Sequence, residues 1–266
     1  MNFIKNTIFK RKTDDDTPEP SMPDSSGVLA VWGSLGSGKT TVSVKLAKHL
    51  ADHKKNVALV FADMTAPMLH CVCPSSALEC DRSLGSILAG AHVMEPLVKN
   101  NCVTLKKNPY LILLGLKAGE NEYSYPPCSE QQVTELIAAL RELTPYVIID
   151  CGSYIASDIL SAVSLMEADS VLRLVNADAK SASYFASQLP LLSEKAWDAD
   201  KQYKVGSNLK PYQAVEQLSG MAFRLPYSYE LEEQFLAENL LADLCLKDGK
   251  AFQKEIQKIS KEVFGV

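Results

Sequence analysis

The feature that most constrains this chain is a glycine-rich segment between an apolar run and a helix-length amphipathic stretch. Residues 33–40 read Gly-Ser-Leu-Gly-Ser-Gly-Lys-Thr and match the pattern G-x-x-x-x-G-K-[ST] in full. The run VLAVW stands directly before the segment, and the stretch Lys39–Ala51 continues from its end. A strand that ends at such a loop and a helix that starts from it form a phosphate-binding unit, which is what this pattern predicts.

The residue types in this loop each have a physical task. Glycines at 33, 36 and 38 allow the backbone to curl, so that successive N–H groups converge on phosphate oxygens. The helix N-terminus adds a partial positive charge at the same place. We expect Lys39 to reach the β- and γ-phosphates and the Thr40 hydroxyl to hold Mg²⁺. The loop therefore predicts ATP and Mg²⁺, or another nucleoside triphosphate, as ligands.

Two acidic residues follow other apolar strands. Asp150 ends the run Tyr-Val-Ile-Ile-Asp, and Asp63 comes just after the run NVALVF. In nucleotide hydrolases an acid at the end of a strand beside the loop orients the Mg²⁺ shell, and a second acid can orient the attacking water. A strand-capping or turn-forming aspartate is the alternative for each. We predict Lys39, Asp63 and Asp150 as catalytic residues, and Thr40, Asp63 and Asp150 as metal ligands.

The rest of the chain alternates between short apolar runs and helix-length segments. The predicted strands are Val28–Trp32, Val57–Phe61, Val103–Leu105, Leu111–Leu114, Val147–Asp150, Val171–Leu174 and Gln202–Val205. The predicted helices include Lys39–Ala51, Gln131–Leu143, Asp158–Met166 and Lys180–Leu189. Nearly continuous apolar strands that alternate with helices indicate an α/β fold, with a mostly parallel sheet between two layers of helices.

Charge divides the chain into a terminal arm and a domain. Residues 1–12 carry four basic side chains and no acid, whereas residues 13–26 carry five acids, three prolines and no base. We predict a flexible arm and linker over 1–26 and one domain over 27–266. The net charge of −5 argues against a protein built mainly to coat nucleic acid.

Composition and hydropathy point to a cytoplasmic location. The seven cysteines are an odd number in a long chain, which favours reduced thiols over a disulfide framework. No run of eighteen apolar residues occurs, so we predict no transmembrane segment.

The order of these motifs resembles that of a known superfamily. The loop comes first, then Asp63, then Asp-Cys-Gly-Ser at 150–153, followed by SDILSAVSLMEADSVLRLVNAD and a late LPYSYEL. This order resembles the MinD/ParA superfamily of P-loop ATPases. Within it, the sequence looks most like the CpaE/TadZ-like members, which position pilus and secretion machinery. The resemblance covers roughly residues 27–240.

The resemblance implies a dimeric switch. In this superfamily two subunits sandwich two ATP molecules, the ATP-bound dimer recruits partners, and hydrolysis resets it. The nucleotide-binding residues that it implies are Gly33, Ser34, Gly36, Ser37, Gly38, Lys39, Thr40 and Thr41 at the phosphates, with Asn208 and Pro226 at the adenine. Asp63 and Asp150 fall in the first and second switch segments.

Two positions depart from the superfamily pattern. Members often carry a second lysine directly after the first loop glycine, where this chain has Ser34. The first switch often reads Asp-x-Asp, whereas this chain reads Phe61-Ala-Asp63. A serine cannot neutralise developing phosphate charge as a lysine would. These losses predict slow hydrolysis, or ATP that serves as a dimerisation ligand.

Both ends of the chain offer candidate contact surfaces. The segment 250–264 is amphipathic, with Lys250, Lys254, Lys258 and Lys261 on one side. We interpret this segment as a helix that packs on the sheet, or alternatively as a helix that contacts membrane or DNA. The arm 1–12 contains both apolar and basic residues. This composition is typical of an interfacial anchor, a partner-binding peptide or a disordered terminus. If the arm is an interfacial anchor, we expect the protein to attach peripherally at the inner face of the membrane.

Three functions remain open at this point. The first is an ATP-dependent switch with modest hydrolysis that positions a membrane-associated, pilus, secretion or DNA-partitioning machine. The second is a small-molecule kinase or ligase similar to dethiobiotin synthetase, which needs a substrate pocket beside the loop. The third is a scaffold that binds ATP without hydrolysing it, favoured by Ser34 and Phe61.

Overall fold

The structure is a computed structural model that describes residues 26–72, 82–193, 198–211 and 219–266. Eight strands form one sheet. They are β1 (Gly27–Gly33), β2 (Val57–Phe61), β3 (Val103–Leu105), β4 (Asn108–Leu114), β5 (Tyr146–Asp150), β6 (Ser170–Asn176), β7 (Gln202–Leu209) and β8 (Phe223–Pro226). All of the predicted arm and linker except Ser26 lies outside the described residues.

Nine α-helices occur within these described ranges. They are α1 (Lys39–Asp52), α2 (Leu69–Val72), α3 (Leu84–Leu88), α4 (Glu95–Asn101), α5 (Glu130–Leu143), α6 (Ile159–Glu167), α7 (Ala179–Ser193), α8 (Tyr229–Leu236) and α9 (Lys247–Phe264). Helix α5 begins at a capping box: Ser129 Oγ accepts from the Gln132 N–H at 3.3 Å, and Gln132 Oε1 accepts from the Ser129 N–H at 2.7 Å.

The sheet has the order β3-β4-β2-β5-β1-β6-β7-β8, with β1 and its loop near the centre. Neighbouring strands are parallel, except for the antiparallel pair of β3 and β4. Alternate residues of β1 belong to two separate hydrophobic cores, Val28 and Ala30 to one and Leu29 and Val31 to the other. Helices therefore cover both faces, and the predicted three-layer α/β fold is confirmed.

The structure extends the predicted elements at the far edge of the sheet. Strand β7 continues to Leu209, four residues beyond the predicted end, and β8 was not predicted. Strand β8 reads Phe-Arg-Leu-Pro, which is too short and too polar to stand out as an apolar run. Its Phe223 and Leu225 are buried in the core that also holds α1.

Helix α9 uses its apolar side for packing. Phe252, Ile256 and Ile259 are buried in the same core as α1 and β8, and the helix begins at Lys247, before the predicted residue 250. The four lysines of the predicted stripe, Lys250, Lys254, Lys258 and Lys261, are all exposed. The structure thus has the docked helix, and its basic side faces away from the core.

Within the described residues, no helix combines the length and the apolar character needed to cross a bilayer.

A buried histidine in α1 makes stability depend on pH. His49 is 6% exposed, and burial, reinforced by the nearby His53, lowers its pKa to about 4. The unfolded chain takes up this proton near pH 6.5, while the folded chain stays neutral to about pH 4. We expect the free energy of unfolding to fall by about 1–3 kcal/mol between these pH values because of His49.

Urea titrations at pH 7 and pH 4.5 measure this effect. His49→Phe removes the titrating group and should reduce the loss of stability, whereas the exposed-site variant His92→Gln should retain it. An identical loss in His49→Phe and the unmodified chain would contradict the assignment.

Candidate functional site

The backbone of the loop after β1 has the shape that the sequence pattern predicts. Gly36 and Gly38 have φ values of 72° and 83°, in the left-handed region that favours glycine. A Cβ atom at Gly33 would lie 2.5 Å from the Leu174 carbonyl oxygen, so only glycine fits there. Gly38 is also the N-cap of α1, and the first N–H groups of that helix therefore open toward the loop.

Lys39 is held over the loop by a serine that the sequence analysis did not select. Its Nζ donates to Ser153 Oγ at 2.6 Å, and Ser153 Oγ donates to the Gly33 carbonyl oxygen at 3.0 Å. Burial lowers the pKa of Lys39, while the negative charges of Asp150 and Asp63 oppose that shift. The neutral Ser153 hydroxyl is a weaker partner for an ammonium group than a phosphate oxygen would be. Ser153 was part of the quoted Asp-Cys-Gly-Ser motif, which was the available signal.

Asp150 and Thr40 meet as a pair. Thr40 Oγ1 donates to Asp150 Oδ2 at 2.6 Å, and Ser43 Oγ donates to Asp150 Oδ1 at 3.3 Å. Asp150 is 2% exposed, and burial raises its pKa to about 6, against the opposing effects of Thr40 and Lys39. A hydroxyl and a carboxylate at this distance are oxygen donors of the kind that Mg²⁺ uses.

Asp63 lies near this pair but is engaged in a turn. Its Oδ1 accepts from the backbone N–H groups of Thr65 at 3.0 Å and Ala66 at 3.2 Å, and from Thr65 Oγ1 at 2.5 Å. This is the turn geometry of the alternative reading. Asp63 also borders a cleft of about 500 Å³ together with Gly152 and Ser153. The carboxylate is thus beside the loop, and both of its assigned roles, catalytic and metal-binding, stay predictions.

A second cleft, of about 510 Å³, lies on the other side of the loop. It is lined by Gly36, Gly38, Lys39, Thr40, Thr41, Val42, Met68, Ser207, Asn208, Lys210, Pro226, Tyr227, Ser228, Leu231, Glu232, Phe235 and Phe252. The cleft brings together the loop, the end of β7 and the end of β8. The predicted adenine residues Asn208 and Pro226 are both part of its wall.

Two side chains from β7 hold the loop from this side. Ser207 Oγ donates to the Ser37 carbonyl oxygen at 2.6 Å, and Asn208 Nδ2 donates to the Gly36 carbonyl oxygen at 3.2 Å. Asn176, at the end of β6, also donates to the Gly36 carbonyl oxygen, at 3.4 Å. Sequence reasoning missed Ser207 and Asn176, because no local pattern marks a residue that contacts a loop about 140 to 170 positions away.

Ser34, which stands where relatives often have lysine, faces α7. It is 3% exposed, and its Oγ donates to Ser181 Oγ at 3.2 Å. Ser181 in turn accepts from the Asn176 N–H at 3.1 Å, and its own N–H donates to Asp178 Oδ1 at 2.7 Å. The first turn of α7 therefore packs directly on the loop.

The residues present fit a nucleoside triphosphate with Mg²⁺. Among the described residues, Ser37 Oγ is buried without a hydrogen-bond partner, next to a loop whose N–H groups converge. Lys39 would hold phosphate oxygens, and Thr40 with Asp150 would hold the magnesium ion and its water shell. The described part of the chain has no cluster of three or more His, Cys, Asp or Glu residues.

The backbone of Asn208 gives a test of this arrangement. Asn208 has a φ of 53°, and its side chain is bonded to the loop. Asn208→Ala should lower the free energy of unfolding by about 1–3 kcal/mol. The variant loses the hydrogen bond to the loop, and alanine disfavours the left-handed backbone conformation more than asparagine does. Asn208→Gly, which loses only the bond, should cost less. Chemical denaturation measures both, and equal losses would contradict the role of backbone strain.

Sequence comparison identifies a family. Residues 33–192, more than half of the chain, match the family described as AAA domain. The uncharacterized ATP-binding protein MJ0547 of Methanocaldococcus jannaschii is 28% identical over 151 residues, which are 57% of this chain and 53% of that protein. The match thus spans about half the length of this relative.

Solved structures share the fold over most of the chain. The cell division ATPase MinD of Pyrococcus furiosus has a TM-score of 0.69 at 19% identity, covering 89% of this chain and 99% of that chain. A ParA family ATPase from Chlorobium tepidum has a TM-score of 0.72 at 15% identity, covering 88% of this chain and 98% of that one. The finer likeness to CpaE/TadZ proteins stays a prediction. The chain belongs to the AAA domain family, and it shares its fold with ATPases of the MinD and ParA type.

Proposed function

We propose that this chain is an ATP-dependent switch protein of the MinD/ParA type that hydrolyses ATP slowly. The observation that carries the proposal is the Thr40–Asp150 hydrogen bond of 2.6 Å beneath a loop that also presents Lys39. This is the set of groups that phosphate and Mg²⁺ require. Related proteins support the choice of nucleotide: the Pyrococcus horikoshii MinD structure contains Mg-ADP, and a plasmid partition protein of Borrelia burgdorferi was solved with AMPPNP.

The residues around the phosphates favour slow hydrolysis. Lys39 neutralises charge on the phosphates, and Asp150 orients the magnesium shell. Ser34 brings no second cation, and Phe61, which is 1% exposed, brings no second acid to the first switch. Asp63 is the remaining acid in the first switch, and its Oδ1 already accepts hydrogen bonds within a turn.

Dimerisation is the expected response to ATP. Large apolar side chains are exposed beside the nucleotide site, among them Leu35 in the loop at 45% and Tyr154 after the second-switch strand at 55%. Burial of such side chains against a second copy is favourable. A structure of the MinC:MinD complex of Aquifex aeolicus supports a protein partner for the dimer, as part of a localised machine.

The basic side of α9 is the surface through which the protein would reach a membrane or DNA. Lys250, Lys254, Lys258 and Lys261 are exposed, although Lys258 also pairs with Glu255 at 2.5 Å. The apolar side of the helix is buried, so contact would be electrostatic and sensitive to salt. We propose a cytoplasmic protein with peripheral contact at the inner membrane face, to which the arm 1–12 contributes.

A specific observation also favours the kinase or ligase as a second candidate. The cleft of about 500 Å³ is lined by Asp63 and by Ser153, the hydrogen-bond partner of Lys39, and it is large enough for a small molecule. Tyr123, Tyr125 and Cys128 line its outer wall. A metabolite bound in this cleft would be the phosphoryl acceptor.

Light scattering coupled to gel filtration separates these functions. With ATP and Mg²⁺ the switch should elute as a dimer, and with ADP and Mg²⁺ as a monomer. Lys39→Ala should remain monomeric because ATP affinity falls by at least about tenfold, while Lys250→Ala, a lysine remote from the loop, should dimerise normally. A chain that stays monomeric with ATP and phosphorylates an added metabolite would establish the kinase instead.

The departure at Ser34 gives a second prediction. If the missing cation limits hydrolysis, Ser34→Lys should raise the rate of phosphate release by at least about tenfold. Ser34→Met introduces a side chain of similar length without the charge, and it should give no such rise in the rate. Equal rates in the two variants, with both shown to be folded by thermal unfolding, would contradict this explanation.

A further inference from the structure

A cationic pocket lies on the sheet face that carries α7, away from the loop. We call it the Arg173 pocket; its volume is about 390 Å³. It is lined by Arg173, Val175, Asn176, Asp178, Ala179, Ala182, Phe185, Leu189 and Lys204. Asn176 and Asp178 also take part in the contacts of the loop described above, and the other lining residues do not belong to that site.

The guanidinium group in this pocket lacks a counter-ion. Arg173 is half-buried in β6, with its Cζ 5.9 Å from the ring centroid of Phe185. Burial lowers its pKa, and no carboxylate of the described residues forms an ion pair with it. Asp178 lines the pocket, but its Oδ1 accepts from the Ser181 N–H at 2.7 Å. A half-buried cation without an acidic partner is costly for the fold unless an anion joins it.

A second cation stands directly beside the first. Lys204 of β7 is in register with Arg173 of β6, so the two side chains leave the same face of adjacent strands about 5 Å apart. The described contact of Lys204 is a hydrogen bond of 3.3 Å from its Nζ to the Ser219 carbonyl oxygen. Like charges at one register repel each other, and a shared anion would remove that repulsion.

We propose that the Arg173 pocket binds the acidic segment 13–26 of this same chain, through a carboxylate of Asp14, Asp15, Asp16 or Glu19. The charges are complementary, since this segment carries five acids and no base. A guanidinium group can donate two parallel hydrogen bonds to one carboxylate, in a bidentate pair. The apolar pocket walls suit the prolines and the methionine of the segment.

The chain geometry allows this contact. Strand β1 begins at Gly27 and is the neighbour of β6, with Trp32 in register with Arg173. The pocket is therefore five residues along the strand from Gly27, or ~16 Å. Glu19 is eight residues before Gly27 and can reach ~26 Å when extended. A tether this short gives the segment an effective concentration in the millimolar range.

The shape of the pocket favours a peptide carboxylate over a nucleic-acid backbone. Duplex phosphates are contacted by cations that project from a surface. Arg173 instead sits half-buried in a concavity with mostly apolar walls. Arg224 lies on β8, the strand beyond β7, and it is exposed. It serves as a matched comparison for a cation outside the pocket.

Zero-length cross-linking of the full chain with a carbodiimide tests the contact, because it joins a lysine amine to a carboxylate that touches it. Peptide mapping by mass spectrometry should show Lys204 joined to residue 14, 15, 16 or 19. The yield should fall by about tenfold in Arg173→Gln, be partly restored in Arg173→Lys and remain unchanged in Arg224→Gln. It should also fall in 1 M NaCl.

Three results would overturn the proposal. One is coupling of Lys204 to the segment that is no more frequent than coupling of Lys250, which lies on α9 in the other core layer. Another is coupling found only between isotopically labelled and unlabelled chains, since it would assign the segment to a second copy. The third is absence of coupling together with weaker binding of duplex DNA by Arg173→Gln, which would assign the pocket to a polyanion.

Discussion

The hydrogen bond between Thr40 and Asp150 is the interaction on which the site depends. Asp150 ends β5, which lies between β1 and β2, and it is in register with Val31 on one side and Phe61 on the other. A buried carboxylate costs several kcal/mol unless polar groups offset it. The hydroxyls of Thr40 and Ser43 and the charge of Lys39 supply that compensation. The first turn of α1 is thereby fixed to the centre of the sheet.

Much of the fold followed from local patterns, because the strands and helices that matter most are long and strongly apolar. Strands β1, β2 and β5 are buried along nearly their whole length, and the loop motif identifies what lies between β1 and α1. Thr40 and Asp150 were both predicted as metal ligands, since Thr40 lies in the first turn of the helix after the loop and Asp150 ends another apolar strand. Strand β8 was not predicted, because its four residues include Arg224 and Pro226 and do not form a recognisable apolar run.

The remaining parts of the site are tertiary, and local sequence does not encode them. Ser153, Ser207 and Asn176 contact the loop across separations of more than a hundred residues. Their types, serine and asparagine, are common in turns, so nothing distinguishes them before the strands are assembled. Helix α9 shows a related ambiguity: an apolar stripe has the same period whether it faces a sheet or a bilayer, and only the packing of Phe252 and Ile256 decides.

The first turn of α7 connects regions that the sequence keeps apart. Ser181 in this turn contacts Ser34, and Asn176 at the end of β6, just before the turn, donates to Gly36. Ala179 and Ala182 of the same turn line the Arg173 pocket. The loop is therefore not isolated from the rest of the surface, because the helix end that supports it also lines a solvent-accessible pocket. A ligand that displaces this turn would change the shape of the loop without touching the nucleotide. The nucleotide loop and the Arg173 pocket therefore share one structural element, the first turn of α7.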